Sequence, residues 1–272
     1  MTLTLTPIHG LPLYQKDDPL TSTILEAIRV EGIELRDSDI LVVAQKIVSK
    51  VEGRLVYLGD ITPSSMAHQL AEVTGKDPRF VELVLRESKS TLRVRGGTLI
   101  VEHNLGFICA NAGIDHSNVK GLYGSDDDWV LLLPENPDQS AENLRREILG
   151  FSGKNVGILI IDSHGRAWRM GVVGTTIGLA GIPGLVDKRG DPDLFGYRLK
   201  VTQIAAADEL AAAASLIMGQ ADDCLLYTSD AADDLLCVDL GGRRIIKNNK
   251  SLHYTHVQHR HHNSLHVTTI NS

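Results

Sequence analysis

Two stretches of this chain carry the residues most able to do chemistry: Asn111-Ala112-Gly113-Ile114-Asp115-His116-Ser117-Asn118 and Ile161-Asp162-Ser163-His164-Gly165-Arg166. Each sets one acidic residue in a short polar turn directly after an apolar run, beside a glycine and hydroxyl or amide side chains. Two carboxylates presented this way can hold a hard divalent cation, which takes oxygen ligands and commonly shares them with a substrate phosphate. Ser163 adds a hydroxyl beside Asp162. Asn118, three residues past Asp115, can bond a phosphate or the water shell of the cation. Taken singly, either Asp reads as a turn residue bonding its own backbone. The repeated context is what moves the pair toward metal binding.

Lys46, Lys50 and Arg54 follow an apolar run. Their spacing of four places them on one face if the segment is helical, and equally on one face if it is extended. They read either as a solvated basic edge or as a cation set facing phosphates. Gly171, Gly174, Gly178, Gly181 and Gly184 punctuate the stretch after Arg169. No Gly-Lys-Ser/Thr follows, so this is not a Walker loop, and it does not match GxGxxG. It says that backbone approaches something closely there, by packing or at a ligand. His116 and His164 flank the acidic turns and rank below the carboxylates. The five histidines before residue 224 form no HExxH or triad pattern, and no Gly-x-Ser-x-Gly elbow supports a serine hydrolase.

These residues need elements to position them. Asp18-Pro19 opens a helix to about Glu31, with Leu20, Ile24, Ala27 and Ile28 at helical spacing. Thr62-Pro63-Ser64 starts a second helix, Pro78 to about Glu87 makes a third, Asn136-Pro137-Asp138 begins a fourth to Leu149, and Ala205 to Met218 is Ala-rich and strongly helical. Asp208 and Glu209 cap the start of that last helix. Strands are expected at Thr2–Ile8, 39–44, Trp129–Leu133, Val156–Ile161 and Leu199–Ile204, with a hairpin at Val94–Val101 turning on Gly96-Gly97. Strict βαβ alternation fails, so the expected fold is α+β, a mixed α/β arrangement of mixed sheets with flanking helices.

Composition narrows the class. The 272 residues are 43% hydrophobic and 22% charged, as in an ordinary globular chain, with 4% aromatics and so an aliphatic core. A net charge of -7 argues against a broad nucleic-acid surface, which needs clustered cations. No run approaches the roughly 18 apolar residues of a membrane span. The first ten residues lack a basic region and an apolar core, which makes a signal peptide unexpected. Cys109, Cys224 and Cys237 are widely spaced without CxxC, and Cys109 reads as a small buried hydrophobe. Together these point to the cytoplasm.

From about Cys224 the chain stops reading like the protein before it. Residues 225–247 look like translated sequencing-adapter read-through, and residues 247–272 carry Asn, His, Ser and Thr without period. The expected division is a domain over 1–223 and a non-native, disordered tail over 224–272.

Several pieces in order resemble the coenzyme F-420 gamma-glutamyl ligases: Pro7-Ile8-His9-Gly10-Leu11-Pro12-Leu13, the Asp39-to-Arg54 block, Asn111 to Asn118, Leu132-Leu133-Pro134, Asp162-Ser163-His164-Gly165-Arg166, Ala207-Asp208-Glu209-Leu210-Ala211 and Met218-Gly219-Gln220. The resemblance implies a GTP-dependent ligase that adds L-glutamate to F-420-0, a deazaflavin with a phospholactyl arm, and extends a gamma-linked tail. It implies an intertwined homodimer with Mg or Mn, and leaves room for a monovalent cation. Asp115, Asp162, Ser163 and Gln220 match the family's metal ligands. Gly10, Leu11, Pro12 and Leu13 match a GTP-contacting turn, and Lys50 and Asn118 match GTP contacts. Gln45 and Lys46 stand where some members carry small hydroxyl residues. The resemblance thus makes Asp115, Asp162 and Lys50 the catalytic set, working through phosphoryl transfer to an acyl phosphate. Family members continue after Met218-Gly219 with a Pro-containing apolar strand, where this chain has Asp223-Cys224-Leu225-Leu226. A lost strand exposes a sheet edge, so the chain as written is expected to be less stable than a complete homologue. Two other readings stand beside this one: a nucleotide- or metal-binding protein inactive through truncation, and an oxidoreductase, which the missing dinucleotide fingerprint weakens.

Overall fold

The structure is a computed structural model that describes residues 3–116 and 119–218. Its first helix, α1 (Leu20–Val30), buries Thr21, Ile24, Ala27 and Ile28, the stripe that its 3.6-residue period lays on one face. Strand β1 (Ile40–Ala44) follows, and helix α2 (Gln45–Val51) begins at the next residue. The basic segment that spacing left open is therefore helical from Gln45 to Val51. Strand β2 (Leu55–Tyr57) leads to α3 (Ser65–Thr74), where the Ser64 hydroxyl accepts from the Ala67 N–H, and then α4 (Pro78–Arg86), capped by Asp77.

Strands β3 (Ser88–Arg95) and β4 (Thr98–His103) form the expected hairpin, starting six residues earlier than the sequence pattern suggests. Gly97 takes the left-handed conformation at the turn. Strand β5 (Ile108–Ala110) completes a sheet ordered β3-β4-β5. Strand β6 (Trp129–Leu131) pairs antiparallel with β2. Helix α5 (Pro137–Ser152) is capped by Asn136 and ends at left-handed Gly153.

Strand β7 (Gly157–Gly165) lies parallel to β1, Ile40 opposite Gly157 and Ala44 opposite Ile161. Its other neighbour is antiparallel β8 (Val172–Ala180), giving the order β1-β7-β8. A short pair, β9 (Val186–Asp187) with β10 (Gln203–Ile204), precedes α6 (Ala206–Met218). The chain is thus α+β, with parallel and antiparallel pairs in one sheet. No helix among the described residues is long and apolar enough to cross a membrane.

Two aliphatic cores result. One gathers Ile24, Ile28, Val43, Ile47, Ile148, Ile158, Leu159 and Ile160 between the β1-β7-β8 sheet and its helices. The other gathers Ala67, Val81, Val84, Leu99, Val101, Ala112 and Val130 beneath β3-β4-β5. The glycines of β8 serve the first. A Cβ on Gly174 would stand 2.5 Å from the Ala211 carbonyl oxygen of α6, and one on Gly178 would stand 2.5 Å from the Pro137 backbone of α5. Close helix-on-strand packing is what these two positions require.

Three expectations need correction. Residues 3–8 form no strand; His9 is tied instead to Glu31 through its N–H and ring, which holds the segment against the end of α1. The Leu199–Ile204 strand shrinks to Gln203–Ile204, the two residues that pair with the two-residue β9. Asp162, Ser163 and His164 are not in a turn; they continue β7, paired with Thr175, Gly174 and Val173. The expected tail over 224–272 lies outside the described residues.

Candidate active site

The site begins where β1 hands over to α2. Gln45 and Lys46, the first two residues of α2, are both buried. The Gln45 Nε2 donates to Asp115 Oδ2, while the Ser49 hydroxyl, one turn on, donates to Gln45 Oε1 at 2.8 Å. That second bond fixes which end of the amide faces Asp115. The Lys46 ammonium stands 3.4 Å from Asp115 Oδ1.

Asp115 itself is held by backbone. Its N–H donates to Leu131 O at 2.9 Å, and its carbonyl accepts from Leu131 N at 2.8 Å, so β6 anchors it. The approach is strained: Asn111, Ala112 and Gly113 have φ of 50°, 55° and 62° in succession. Left-handed backbone is rare for residues with a Cβ and persists where surroundings over-determine it. Here the Asn111 side chain accepts from Leu99 N at 3.1 Å and Ala112 is fully buried. At Gly113 a Cβ would press on Leu133 at 2.8 Å, so the turn that delivers Asp115 needs glycine there.

Asp162 arrives from β7. Strand alternation puts Asp162 and His164 on one face and Ser163 on the other. His164 Nε2 lies 2.9 Å from Asp162 Oδ2. Ser163 pairs with Gly174, whose face meets α6, so its side chain does not share the face of Asp162. A cation on Asp162 that also takes Ser163 has to reach the latter by another route than a shared strand face.

The electrostatics fit an anionic centre short of positive charge. Burial pushes the Asp115 carboxyl up to about 7, against the pull of Lys46, and the charge on Asp162 adds to the rise. Burial, with Lys46 alongside, lowers the Lys50 ammonium, while Asp115 works the other way. Burial also opposes charge on His164, but Asp162 outweighs it and the imidazole is raised. Asp115, Asp162, Lys46, Lys50 and His164 therefore feel one another across α2, β6 and β7.

A divalent cation suits this donor set. It relieves the repulsion that raises Asp115, and hard carboxylate oxygens are its preferred ligands. Among the described residues, no three His, Cys, Asp or Glu side chains are grouped to enclose a metal by themselves. The set is open, as for a magnesium-type ion that keeps waters and substrate phosphates in its shell.

Other expected site residues fall elsewhere. Arg54 is a strut: it donates to Leu133 O at 2.8 Å and to Glu135 and Glu87 at 3.0 Å, clamping α4 to the chain after β6. The basic trio thus splits, leaving Lys46 and Lys50 at the site. Leu11 is buried in the core beside Ile8 and Tyr14, while Gly10, Pro12 and Leu13 are exposed around it. No hydrogen bond or ion pair among the described residues joins that turn to Asp115 or Asp162. His116 is spent on the Asp127 carbonyl at 2.7 Å, and Asp208 accepts from Thr176 N at 2.9 Å, tying α6 to β8. Asn118 and Gln220 lie outside the described residues. Cys109 is buried, and burial with Asp162 nearby pushes its thiol up to about 12, which leaves it inert as a nucleophile. Two residues that sequence reasoning passed over, His103 and Phe107, stand behind His164 as stacked rings; they are linked to it only through space, and no local spacing signals that.

Comparison with known proteins shows the family. The chain matches the family described as F420-0:Gamma-glutamyl ligase over residues 10–225. It is 47% identical to the coenzyme F420:L-glutamate ligase of Methanopyrus kandleri over 216 residues, 79% of this chain and 82% of that protein. It is 44% identical to the protein of the same name from Methanothermobacter thermautotrophicus over 223 residues, 82% of this chain and 86% of that one. With the Methanocaldococcus jannaschii protein of that name it shares 46% identity over 214 residues, 78% and 81% of the two chains. On a match that spans most of its length and on relatives of this similarity, the chain belongs to the F420-0:Gamma-glutamyl ligase family.

Proposed function

We propose that this protein is a GTP-dependent ligase that joins L-glutamate to F-420-0 and then extends the gamma-linked tail. The observation that carries the reading is the convergence of Asp115 and Asp162 with the Lys46 and Lys50 ammonium groups, in a family whose relatives bear the name coenzyme F420:L-glutamate ligase. Amide formation from a carboxylate needs an activated acyl group. Phosphoryl transfer from GTP to the carboxylate supplies an acyl phosphate; the amine of glutamate attacks it, and phosphate leaves.

Asp115 and Asp162 would hold Mg or Mn; the family resemblance adds Ser163, whose side chain stands on the other strand face, and Gln220, outside the described residues, as further ligands. When bound, the metal neutralises charge on the transferred phosphoryl group. Lys50 and Lys46 are assigned to the phosphates, and the family resemblance adds Gln45 and Asn118 as nucleotide contacts. Gly10, Leu11, Pro12 and Leu13 supply the nucleotide-contacting turn. Burial around Gln45 and Lys46 keeps water from the acyl phosphate, and positioning with electrostatics does the rest, so no protein nucleophile is needed. A second copy completes the protein: Trp168, Leu194 and Phe195 are each at least 95% exposed, apolar side chains without cover in one chain. The protein works as a homodimer in the cytoplasm.

Mass spectrometry of F-420-0 incubated with the protein, GTP, L-glutamate and Mn or Mg tests this. A product heavier by glutamyl units, formed with GDP, is the expected result. GTP bound without product makes the chain a binding protein, and turnover with no nucleotide consumed overturns the mechanism.

A further inference from the structure

His164 has no role in the reaction proposed above, yet its ring is held more firmly than a spare strand residue requires. It stands two residues after Asp162 on β7, and so on the same face. Only 13% of its side chain is exposed, and its Nε2 lies 2.9 Å from Asp162 Oδ2. That nitrogen is buried and faces one carboxylate oxygen at hydrogen-bonding distance, without the alignment of a formed hydrogen bond.

The ring is backed from the other core. Phe107, in the turn between β4 and β5, packs on His164 with centroids 5.2 Å apart and planes at 46°. Phe107 is itself stacked flat on His103, at 5.1 Å and 5°. His103 is 2% exposed and cannot shift: its Nδ1 accepts from Leu105 N at 3.0 Å, and its N–H donates to Phe107 O at 2.8 Å. Three rings in a row thus connect a locked residue of the β3-β4-β5 sheet to one oxygen of Asp162.

We infer that His164 is a positioning residue for Asp162: its ring, set by Phe107, engages Oδ2 and turns Oδ1 toward the divalent cation shared with Asp115. The inference rests on the metal reading of Asp162 given above. Side chains that orient a metal-ligating carboxylate typically contribute ten- to a hundredfold in metal affinity. A neutral imidazole with its proton on Nε2 suffices, so the effect needs no change of charge.

Manganese binding to the metal-free protein, followed by the loss of the free-ion electron paramagnetic resonance signal, reads this without turnover. His164→Phe keeps the aromatic contact with Phe107 and removes the donor; its manganese affinity should fall about ten- to a hundredfold, with the metal-free melting temperature unchanged. His164→Gln, which restores a donor, should recover part of the loss. Phe107→Leu, which touches neither Asp162 nor its donor, should weaken binding in the same direction by less. Asp162→Asn is the reference and should abolish the tight site. Loss in Asp162→Asn with wild-type affinity in both His164→Phe and Phe107→Leu overturns the positioning role alone. Wild-type affinity in Asp162→Asn overturns the metal reading, and the positioning role with it.

Discussion

Gln45 and Asp115 are 70 positions apart in the chain, and the amide of one holds a carboxylate oxygen of the other, with Ser49 setting the direction of the amide. The bond joins the end of the parallel β1–β7 pair to the β2–β6 pair, and so couples the two halves of the fold at the site. A buried hydrogen bond to a charged group contributes about 1.5–3 kcal/mol. Gln45→Leu, which keeps the volume and removes the donor, should lower stability by about that amount and reduce ligase turnover. Urea unfolding and a product assay measure the two effects; an unchanged unfolding midpoint would show that Asp115 finds another donor.

Asp162→Ala should abolish glutamyl addition while leaving the fold. Removal of Asp162 relieves the repulsion that raises Asp115 but also takes the partner that raises His164, so the metal-free melting temperature should change little. Circular dichroism melting in chelator, set beside the mass-spectrometric assay, gives both readings. Undiminished turnover ends the assignment of Asp162.

Asp115 makes the metal-free protein sensitive to base. Its folded pKa, about 7, lies above the ordinary carboxylate value because burial disfavours the charge. A raised acid stabilises the fold most below its unfolded value of about 3.9, and that stability is lost as pH rises toward 7. A divalent cation holds Asp115 ionised and reverses the preference. Manganese should therefore raise the melting temperature more at pH 8 than at pH 5.5. Equal increments at the two pH values would count against Asp115 as a ligand.

His103 acts at the other end of the scale. Burial, with the Arg54 cation nearby, lowers its imidazole to about 4. In acid the unfolded chain takes up the proton first, near pH 6.5, so stability present above that value is lost as pH falls toward 4. At about 1.4 kcal/mol per pKa unit the loss approaches about 3 kcal/mol. His103→Phe, which keeps the stack on Phe107, should remove this share. The test is the difference in urea midpoint between pH 7.5 and 4.5, which should be smaller in the variant than in wild type.

Gly178→Ala should destabilise the fold by about 1–3 kcal/mol, the usual cost of overpacking. The added methyl meets the Pro137 backbone of α5, which has no flexible side chain to give way. The same change at Gly171, where a Cβ meets nothing within 4 Å, has no such clash and costs only what its left-handed φ of 80° imposes. Thermal melts of the two variants separate packing from backbone conformation.

Much of this protein was readable one element at a time. The helices at Pro78 and Pro137 announce themselves by cap residues and that at Leu20 by its 3.6-residue apolar stripe, because both signals act within a turn or two of chain. The prominence of Asp115 and Asp162 was legible for the same reason: a polar break after an apolar run is local. Their partners were not. Whether the Gln45 segment was helix or strand turned on where α2 packs, and the same spacing serves both. Arg54 shares its spacing with Lys46 and Lys50, yet Glu87, Glu135 and the Leu133 carbonyl draw it away from the site. Asp162 extends a strand rather than sitting in a turn because β8 offers it a paired edge at Thr175. The sequence by itself determined the α+β class, the aliphatic core and the acidic residues at its centre, since composition and short-range pattern carry those. Only the tertiary structure decided which cations face Asp115, that Gln45 holds it, and that a stack of rings from a second sheet stands behind Asp162. Those contacts join residues tens of positions apart, and burial alone gives them their energies.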